Sequence, residues 1–139
     1  MKTKEAIRDD GYVSVGDMAR RDERGFIHLV DRKSNMIISG GENVYPSEIE
    51  NILGRYPGVK DVAVVGVAHE KWGEVAHAVI VPHAGATIAE ADVLEWCRDR
   101  MAGYKRPRGV SVIGEAEMPR TATGKIQHRV LRERFAKSL

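Results

Sequence analysis

Residues 31–50 read DRKSNMIISGGENVYPSEIE and combine three kinds of segment. A charged turn covers residues 31–35, an apolar strand covers 36–38, and a helix start follows at Pro46. Between strand and helix lies a loop with two adjacent glycines, Gly40 and Gly41. Because glycine lacks a Cβ, such a pair lets another group come close to the backbone. The stretch therefore predicts a loop between a strand and a helix whose backbone a ligand can approach closely.

The hydrophobic pattern on either side of this stretch predicts a small α+β domain. An N-terminal β-hairpin is predicted over residues 12–30. Pro57-Gly58 ends the helix that starts at Pro46, and Thr87 is predicted to cap a second helix of about fifteen residues. The remaining predicted elements are the Val-rich strands 59–67 and 74–82, a short strand at 110–113 and a last helix at 126–136. The prediction is an N-terminal hairpin followed by a small three-stranded sheet packed with about three helices.

Composition limits the range of partners. The 139 residues suit one domain, and 22 Lys and Arg against 20 Asp and Glu leave a net charge of only +2, which predicts no nucleic-acid partner. Cys97 is the single cysteine, so a disulfide framework within the chain is excluded. The apolar runs have the length of strands, so no transmembrane segment is predicted. These features fit the reducing cytoplasm.

Histidines could suggest a metal site. His69, His77 and His83 are spaced by eight and six residues, which gives no shared helix face. His77 and His83 could share one face of a strand, but no second thiol is available to complete a zinc site. The favoured interpretation is that this chain itself binds no metal.

A loop near the C-terminus carries Lys125 in the sequence Pro119-Arg-Thr-Ala-Thr-Gly-Lys125, ahead of a basic helix. The order does not fit a nucleotide P-loop, which needs an earlier glycine and a Ser or Thr after the lysine, whereas Ile126 stands here. By residue type alone this is an exposed loop lysine that can present its ammonium to a phosphate or a carboxylate.

Taken with residues 31–50, the Thr-Gly-Lys loop resembles the C-terminal domain of acyl-CoA synthetases in the adenylate-forming superfamily of AMP-binding enzymes. The resemblance runs from about Gly11 to Phe135, with the motifs in the family's order. It implies that Lys125 is catalytic and bridges the substrate carboxylate and the α-phosphate of ATP during adenylation. A cation there would offset the repulsion between the two anions.

The resemblance also implies nucleotide-binding residues near the N-terminus. Asp17 matches the family aspartate that accepts hydrogen bonds from both ribose hydroxyls of ATP or AMP, although Val15 replaces the threonine of the family motif. Arg32 matches an arginine that also reaches the nucleotide. Ser34 stands where the family usually has Asp or Lys at the hinge of a large domain rotation. A rotation about φ and ψ does not require a charge there.

Other residues match the coenzyme A site of the family. Gly40, Gly41 and Glu42 match the loop that lines the pantetheine tunnel after the rotation. The residues that match positions binding the nucleotide end of CoA are Trp72, Tyr104, Arg106 and Arg108. From the residues alone, a tryptophan covering a sheet edge and basic residues on a surface loop remain the alternative.

The resemblance divides the chain into residues 1–31, the expected tail of an N-terminal AMP-binding domain with the approach to the hinge, and residues 32–139, the C-terminal domain. The implied enzyme is a ligase that converts a carboxylate, ATP and CoA into acyl-CoA, AMP and pyrophosphate through an acyl-adenylate. Mg2+ would accompany ATP in the full enzyme. Since these 139 residues do not include the large ATP-binding domain, the chain alone is expected to be inactive and to need that domain in cis or in trans.

Other hypotheses stay open. The chain could be a stand-alone regulatory module that binds CoA or a carrier protein. It could also be the matching part of a peptide-synthetase adenylation domain, which would use a carrier phosphopantetheine and ignore free CoA. The Gly-Gly-Glu-Asn form of residues 40–43 favours the acyl-CoA synthetases.

Overall fold

The computed structural model describes residues 17–21, 27–32 and 35–136. It divides the chain into two compact units, Met1–Ser34 and Asn35–Leu139. Each unit is described by itself below.

The first unit contains the predicted N-terminal hairpin. Strands β1 (Asp17–Arg21) and β2 (Ile27–Arg32) pair antiparallel, with Asp17 opposite Arg32. The predicted hairpin is therefore confirmed, although its second strand continues to Arg32, two residues beyond the predicted range of 12–30. Its described first strand begins at Asp17, and residues 12–15, whose apolar side chains suggested that strand, fall outside the described residues.

The second unit is built around a mainly antiparallel sheet. Its strands are β3 (Ile37–Ser39), β4 (Glu42–Val44), β5 (Val59–His69), β6 (Gly73–Pro82) and β7 (Gly109–Val112). Strands β5 and β6 form a long antiparallel hairpin, β7 runs parallel to β6, and β5 lies at one edge of the order β4-β3-β6-β5. The predicted α+β class is confirmed, but the described sheet has five strands instead of three.

The Gly-Gly pair explains the difference in strand number. Gly40 and Gly41 have φ angles of +57° and +83°, and they join Ser39 to its partner Glu42 in a tight antiparallel turn between β3 and β4. Positive φ at both central residues is what a type I′ turn requires. The sequence predicted that the glycines lead directly from a strand into a helix. Instead they close a hairpin. Their first role is conformational.

Three α-helices are described, in agreement with the prediction: α1 (Pro46–Leu53), α2 (Glu90–Cys97) and α3 (His128–Ala136). Helices α1 and α2 cover one face of the sheet, where Leu53 and Val93 are fully buried. Helix α3 covers the other face through Leu131 and Phe135. None of the described helices has the length and apolarity needed to cross a membrane.

Helix α2 is shorter than predicted. It has eight residues, and Ala89 stands at its N-cap without a side-chain hydrogen bond, so Thr87 is not the cap. Ile88 is buried and lies against Gly58, which holds the preceding segment outside the helix. The Glu90 carboxylate accepts the Val110 N–H at 2.8 Å, which ties the helix start to β7.

Candidate functional site

Lys125 lies in an exposed turn that closes on itself. The Thr121 N–H donates to the Lys125 carbonyl at 2.8 Å, and the Lys125 N–H donates to Thr121 Oγ1 at 3.1 Å. Gly124, with φ at +89°, turns the chain just before the lysine. Among the described residues the Lys125 ammonium has no ion-pair partner, so it is available to an external anion.

Trp72 packs against the turn of the β3–β4 hairpin. Its carbonyl accepts the Gly40 N–H at 2.9 Å, and a Cβ on Gly40 would lie 2.9 Å from the indole Cε3 atom. The group that comes close to this glycine is therefore the chain's own tryptophan. The side chain is still 37% exposed, and Lys71 Nζ lies 4.7 Å from the ring centroid. The structure thus brings together the predicted pantetheine loop and one predicted CoA-binding aromatic residue.

Tyr104 stands on a short 3-10 turn, Gly103–Lys105, beside the same hairpin. Cα atoms of this turn come within 8 Å of strand β4, and the Tyr104 side chain is 40% exposed. The neighbouring Lys105 ammonium bonds Glu48 Oε1 at 3.0 Å, and this hydrogen bond raises the pKa of Lys105. The turn is thereby fastened to helix α1 while the tyrosine ring remains accessible.

Arg106 and Arg108 flank the buried Pro107 and differ in their surroundings. The Arg106 guanidinium folds back over Gly103, where a Cβ would lie 3.1 Å from Nη2. The Arg108 side chain is exposed, and its backbone N–H donates to the Ala76 carbonyl at 2.8 Å. Of the two predicted phosphate ligands, Arg108 is therefore the more accessible.

His69 has a structural role that the sequence analysis missed. Its Nδ1 atom accepts the N–H groups of Lys71 at 3.1 Å and of Trp72 at 3.2 Å. Asn, Asp, Ser and Thr are the residues known to close turns in this way, so a histidine here carried no recognised signal. The turn that presents Trp72 is therefore held by an imidazole.

Asp17 and Arg32, the predicted nucleotide ligands, are partners across the β1–β2 ladder. Directly opposed residues of an antiparallel pair have Cα atoms about 4.5–5.5 Å apart. The two positions are thus neighbours on adjacent strands, while Ser34, the predicted hinge, lies outside the described residues.

The Lys125 loop and the Trp72 turn lie towards opposite ends of strand β5. Arg120, in the lysine loop, bonds Asp61 Oδ2 near the start of β5, whereas His69 is the last residue of that strand. Eight residues of extended chain separate Asp61 from His69, or roughly 26 Å at 3.3 Å per residue. The points where the two groups attach to β5 are therefore farther apart than one small reaction centre.

His77 belongs to the core. It is 5% exposed, its Nε2 lies 2.8 Å from Ser111 Oγ, and its ring centroid is 5.2 Å from that of Phe135. Burial lowers the pKa of His77, partly offset by the carboxylate of Glu90. Within the described residues, no group of three or more His, Cys, Asp or Glu side chains is placed to hold a metal ion.

Comparison with known proteins identifies the family of the chain. A family model described as the AMP-binding enzyme C-terminal domain matches residues 48–125. Feruloyl-CoA synthase from Amycolatopsis sp. is 48% identical over 133 residues, which are 96% of this chain and 26% of that protein. Crystallised ATP-bound MatB from Rhodopseudomonas palustris has a TM-score of 0.88 at 42% identity, over 99% of this chain and 27% of that one.

A third relative is o-succinylbenzoate CoA synthetase from Bacillus subtilis in complex with its acyl-adenylate intermediate. Its structure has a TM-score of 0.80 at 37% identity, over 92% of this chain and 26% of that one. The chain thus spans about a quarter of the length of the relatives it matches.

Proposed function

We propose, because the chain belongs to the AMP-binding enzyme C-terminal domain family, that it is the C-terminal domain of an ATP-dependent acyl-CoA synthetase. The substrates of the whole enzyme would be a carboxylic acid, ATP and CoA. The observation that supports this most is that one strand, β5, carries an exposed lysine loop towards one end and an aromatic turn at the other. A two-step ligase needs a cation for adenylation in one step and a binding surface for CoA in the other.

In the first step, a carboxylate oxygen of the acid attacks the α-phosphorus of ATP, and the bond to pyrophosphate breaks. Lys125 would stand between the two anions and stabilise the charge that develops on the phosphoryl oxygens. Its exposure and the lack of an ion-pair partner among the described residues suit this role, since the ammonium need not leave an internal partner first.

In the second step, the CoA sulfur attacks the acyl carbon, the bond to AMP breaks, and the thiol proton is released. Trp72 and Tyr104 would stack on the adenine of CoA, and Arg108 would meet a phosphate of its nucleotide end. Gly40, Gly41 and Glu42 would line the path of the pantetheine arm. Arg106 is packed over Gly103 and would act on the phosphate only after its guanidinium moves.

A rotation of the domain would exchange the two ends of β5 at the reaction centre. Asp17 and Arg32 would hold the ribose of the nucleotide in both steps, and Ser34 would be the hinge. The N-terminal AMP-binding domain is the required partner, and Mg2+ would enter there with ATP. The substrates ATP and CoA favour the cytoplasm as the compartment.

A hybrid ligase tests the proposal. In this hybrid, the chain replaces the matching 133-residue segment of feruloyl-CoA synthase from Amycolatopsis sp.. We expect ATP–pyrophosphate exchange with ferulate and formation of feruloyl-CoA by the hybrid, and neither activity from the chain alone. Exchange by the chain alone, or a well-folded hybrid that makes no adenylate, would contradict the proposal.

The same hybrid separates the acyl-CoA synthetase from the other hypotheses. A carrier-dependent adenylation domain would form the adenylate and leave free CoA unused. Comparison of CoA with dephospho-CoA tests the role of Arg108. Equal KM values for the two would remove Arg108 and Arg106 as ligands of the 3′-phosphate.

A further inference from the structure

Two side-chain contacts connect the ends of the Lys125 loop to the same edge strand of the sheet, one directly and the other through Glu50 of helix α1. At the start of the loop, Arg120 Nη2 donates to Asp61 Oδ2, and Arg120 Nη1 donates to the carbonyl of Gly124 at 3.3 Å. Gly124 directly precedes the lysine, so one guanidinium connects strand β5 to the backbone that carries Lys125.

The second tie lies just after the loop. His128 is the first residue of α3, and its Nε2 atom lies 2.7 Å from Glu50 Oε2 on helix α1. The same carboxylate oxygen accepts the N–H of Val64 on β5 at 2.9 Å. Glu50 therefore reaches round the edge of the sheet and joins the helices on its two faces.

Both ties are partly shielded from water. The side chains of Arg120 and Asp61 are 28% and 32% exposed, and those of His128 and Glu50 are 18% and 19% exposed. The bond to Asp61 also raises the pKa of Arg120. Lys125 itself is exposed, so its loop is ordered by its surroundings: these anchors, the backbone bonds of the turn and the neighbouring Ile126, which packs against the core.

We propose that Arg120 with Asp61, and Glu50 with His128, are positioning residues for Lys125: they fix the loop at both ends so that the ammonium meets the reacting groups without a search. This inference rests on the proposed function. A misplacement of about 1 Å can cost on the order of a hundredfold in rate. Loss of either anchor should therefore slow adenylation and leave the CoA step, which uses the other end of β5, unchanged.

The first test uses the chain itself and needs no activity. Hydrogen–deuterium exchange is followed over residues 120–127 in the native chain and in Arg120→Ala, Asp61→Ala and Arg120→Lys. We expect exchange at Thr121 and Lys125 to rise about tenfold in Arg120→Ala. The rise should be smaller in Asp61→Ala, where Arg120 keeps Glu115 as a partner, and in Arg120→Lys, since a lysine keeps the charge but lacks the planar fork that spans Asp61 and the Gly124 carbonyl together. Arg98→Ala, which breaks a more exposed ion pair with Glu95 on α2, is the matched control and should change nothing there.

The second test uses the hybrid ligase with ferulate. The variants should lower the rate of ATP–pyrophosphate exchange about ten- to a hundredfold, whereas feruloyl-CoA formation from supplied feruloyl-adenylate should stay within about twofold of the unmodified hybrid. The double variant Asp61→Ala with Arg120→Ala should be no slower than the worse single variant, because the pair acts as a unit. Glu50→Gln tests the second tie in the same assays.

The outcomes separate the inference from the function it rests on. A hybrid that makes no adenylate with the native chain contradicts the proposed function. Hydrogen–deuterium exchange still decides whether the anchors order the loop. Two results overturn the positioning role when the hybrid is active: hydrogen–deuterium exchange of the loop that is unchanged in the variants, or equal losses of rate in both half-reactions. If an alanine variant does not fold, Asp61→Asn replaces it, since it removes the charge with little change in shape.

Discussion

The Lys125 loop and the Trp72 turn present their functional groups by opposite means. The lysine extends from a loop whose order comes from hydrogen bonds and ion pairs, with little apolar packing around the ammonium. The tryptophan is placed by close packing of its ring on a glycine and by an imidazole that closes its turn. The lysine loop is held by polar bonds near the start of β5, whereas the Trp72 turn, at the end of β5, is held mainly by close packing of the ring.

This difference has a consequence for how each site fails. Polar anchors break one at a time and leave a loop that is looser but intact. An atom added to a packed glycine displaces the neighbouring side chain, because protein interiors are close-packed; at Gly40 that neighbour is the Trp72 ring. We therefore expect damage at the lysine end to slow a chemical step, and damage at the tryptophan end to weaken binding of a substrate.

The largest expected effect tests whether the lysine end serves only adenylation. In the hybrid ligase, Lys125→Ala should lower ATP–pyrophosphate exchange by about a hundred- to a thousandfold, the usual cost of a lost transition-state contact in a closed site. Feruloyl-CoA formation from supplied adenylate should be nearly unchanged. Arg129→Ala is the control, since it removes a neighbouring cation that is 81% exposed. An equal loss of rate in both half-reactions would show that the lysine end does not serve adenylation alone.

A smaller effect is expected at the tryptophan end from a matched pair of glycines. Gly40→Ala and Gly41→Ala place alanine at positive φ, but only the Cβ on Gly40 would meet Trp72; that on Gly41 has nothing within 4 Å. Both should lose about 1–2 kcal/mol of stability from the backbone conformation. Because it also displaces the Trp72 ring, Gly40→Ala should raise the KM for CoA, by roughly tenfold, and by more than Gly41→Ala does, and neither should slow pyrophosphate exchange. Identical KM values in the two variants would mean that the ring position is irrelevant to CoA.

The smallest effect concerns His77, in the strand pair that connects the two ends. Because burial lowers its pKa in the folded state, the unfolded chain takes up this proton first as the pH falls. The contribution of His77 to stability is therefore complete above its ordinary value of 6.5 and is lost progressively below it, down to its folded pKa.

Thermal unfolding of the native chain and of His77→Gln, each at about pH 7.5 and about pH 5.5, measures this term. The glutamine does not titrate and can still bond Ser111, so its melting temperature should fall less on acidification. A larger fall in the variant would show the opposite sign of linkage. Carboxylates titrate in both proteins, so only the difference between them reports on His77.

Local patterns in the sequence predicted most of the fold. Pro46 predicted the start of α1, and the valine runs predicted β5 and β6 to within two residues at each end. The prediction was wrong at two points, for different reasons. Ile88 enters the core and delays α2, which depends on distant contacts. The paired glycines close a local hairpin, and Gly-Gly is a recognised signal for such a turn, but the strand after it has only three residues.

The candidate site divides in the same way. Lys125 and Trp72 stand in recognisable local motifs, so the sequence could indicate them. The residues that anchor the lysine loop could not be predicted from local motifs, because their partners are distant in sequence. Arg120 and Asp61 are 59 residues apart, and His128 and Glu50 are 78 apart. Pairs at such distances leave no periodicity and no motif. The roles assigned to Lys125, Trp72 and the other site residues stay predictions until the half-reactions are measured.

The carboxylates along β5 also bear on solubility. As an edge strand with the sequence Val-Ala-Val-Val-Gly-Val over residues 62–67, β5 has the composition from which aggregated sheets grow. The N–H of Val62 donates to Asp61 Oδ1 and that of Val64 to Glu50 Oε2, so two amides of this strand are already occupied. A foreign strand that approached this edge would meet negative charge and no vacant donors at these two positions. The side chains proposed to order the Lys125 loop therefore also make the valine-rich edge less able to pair with other chains.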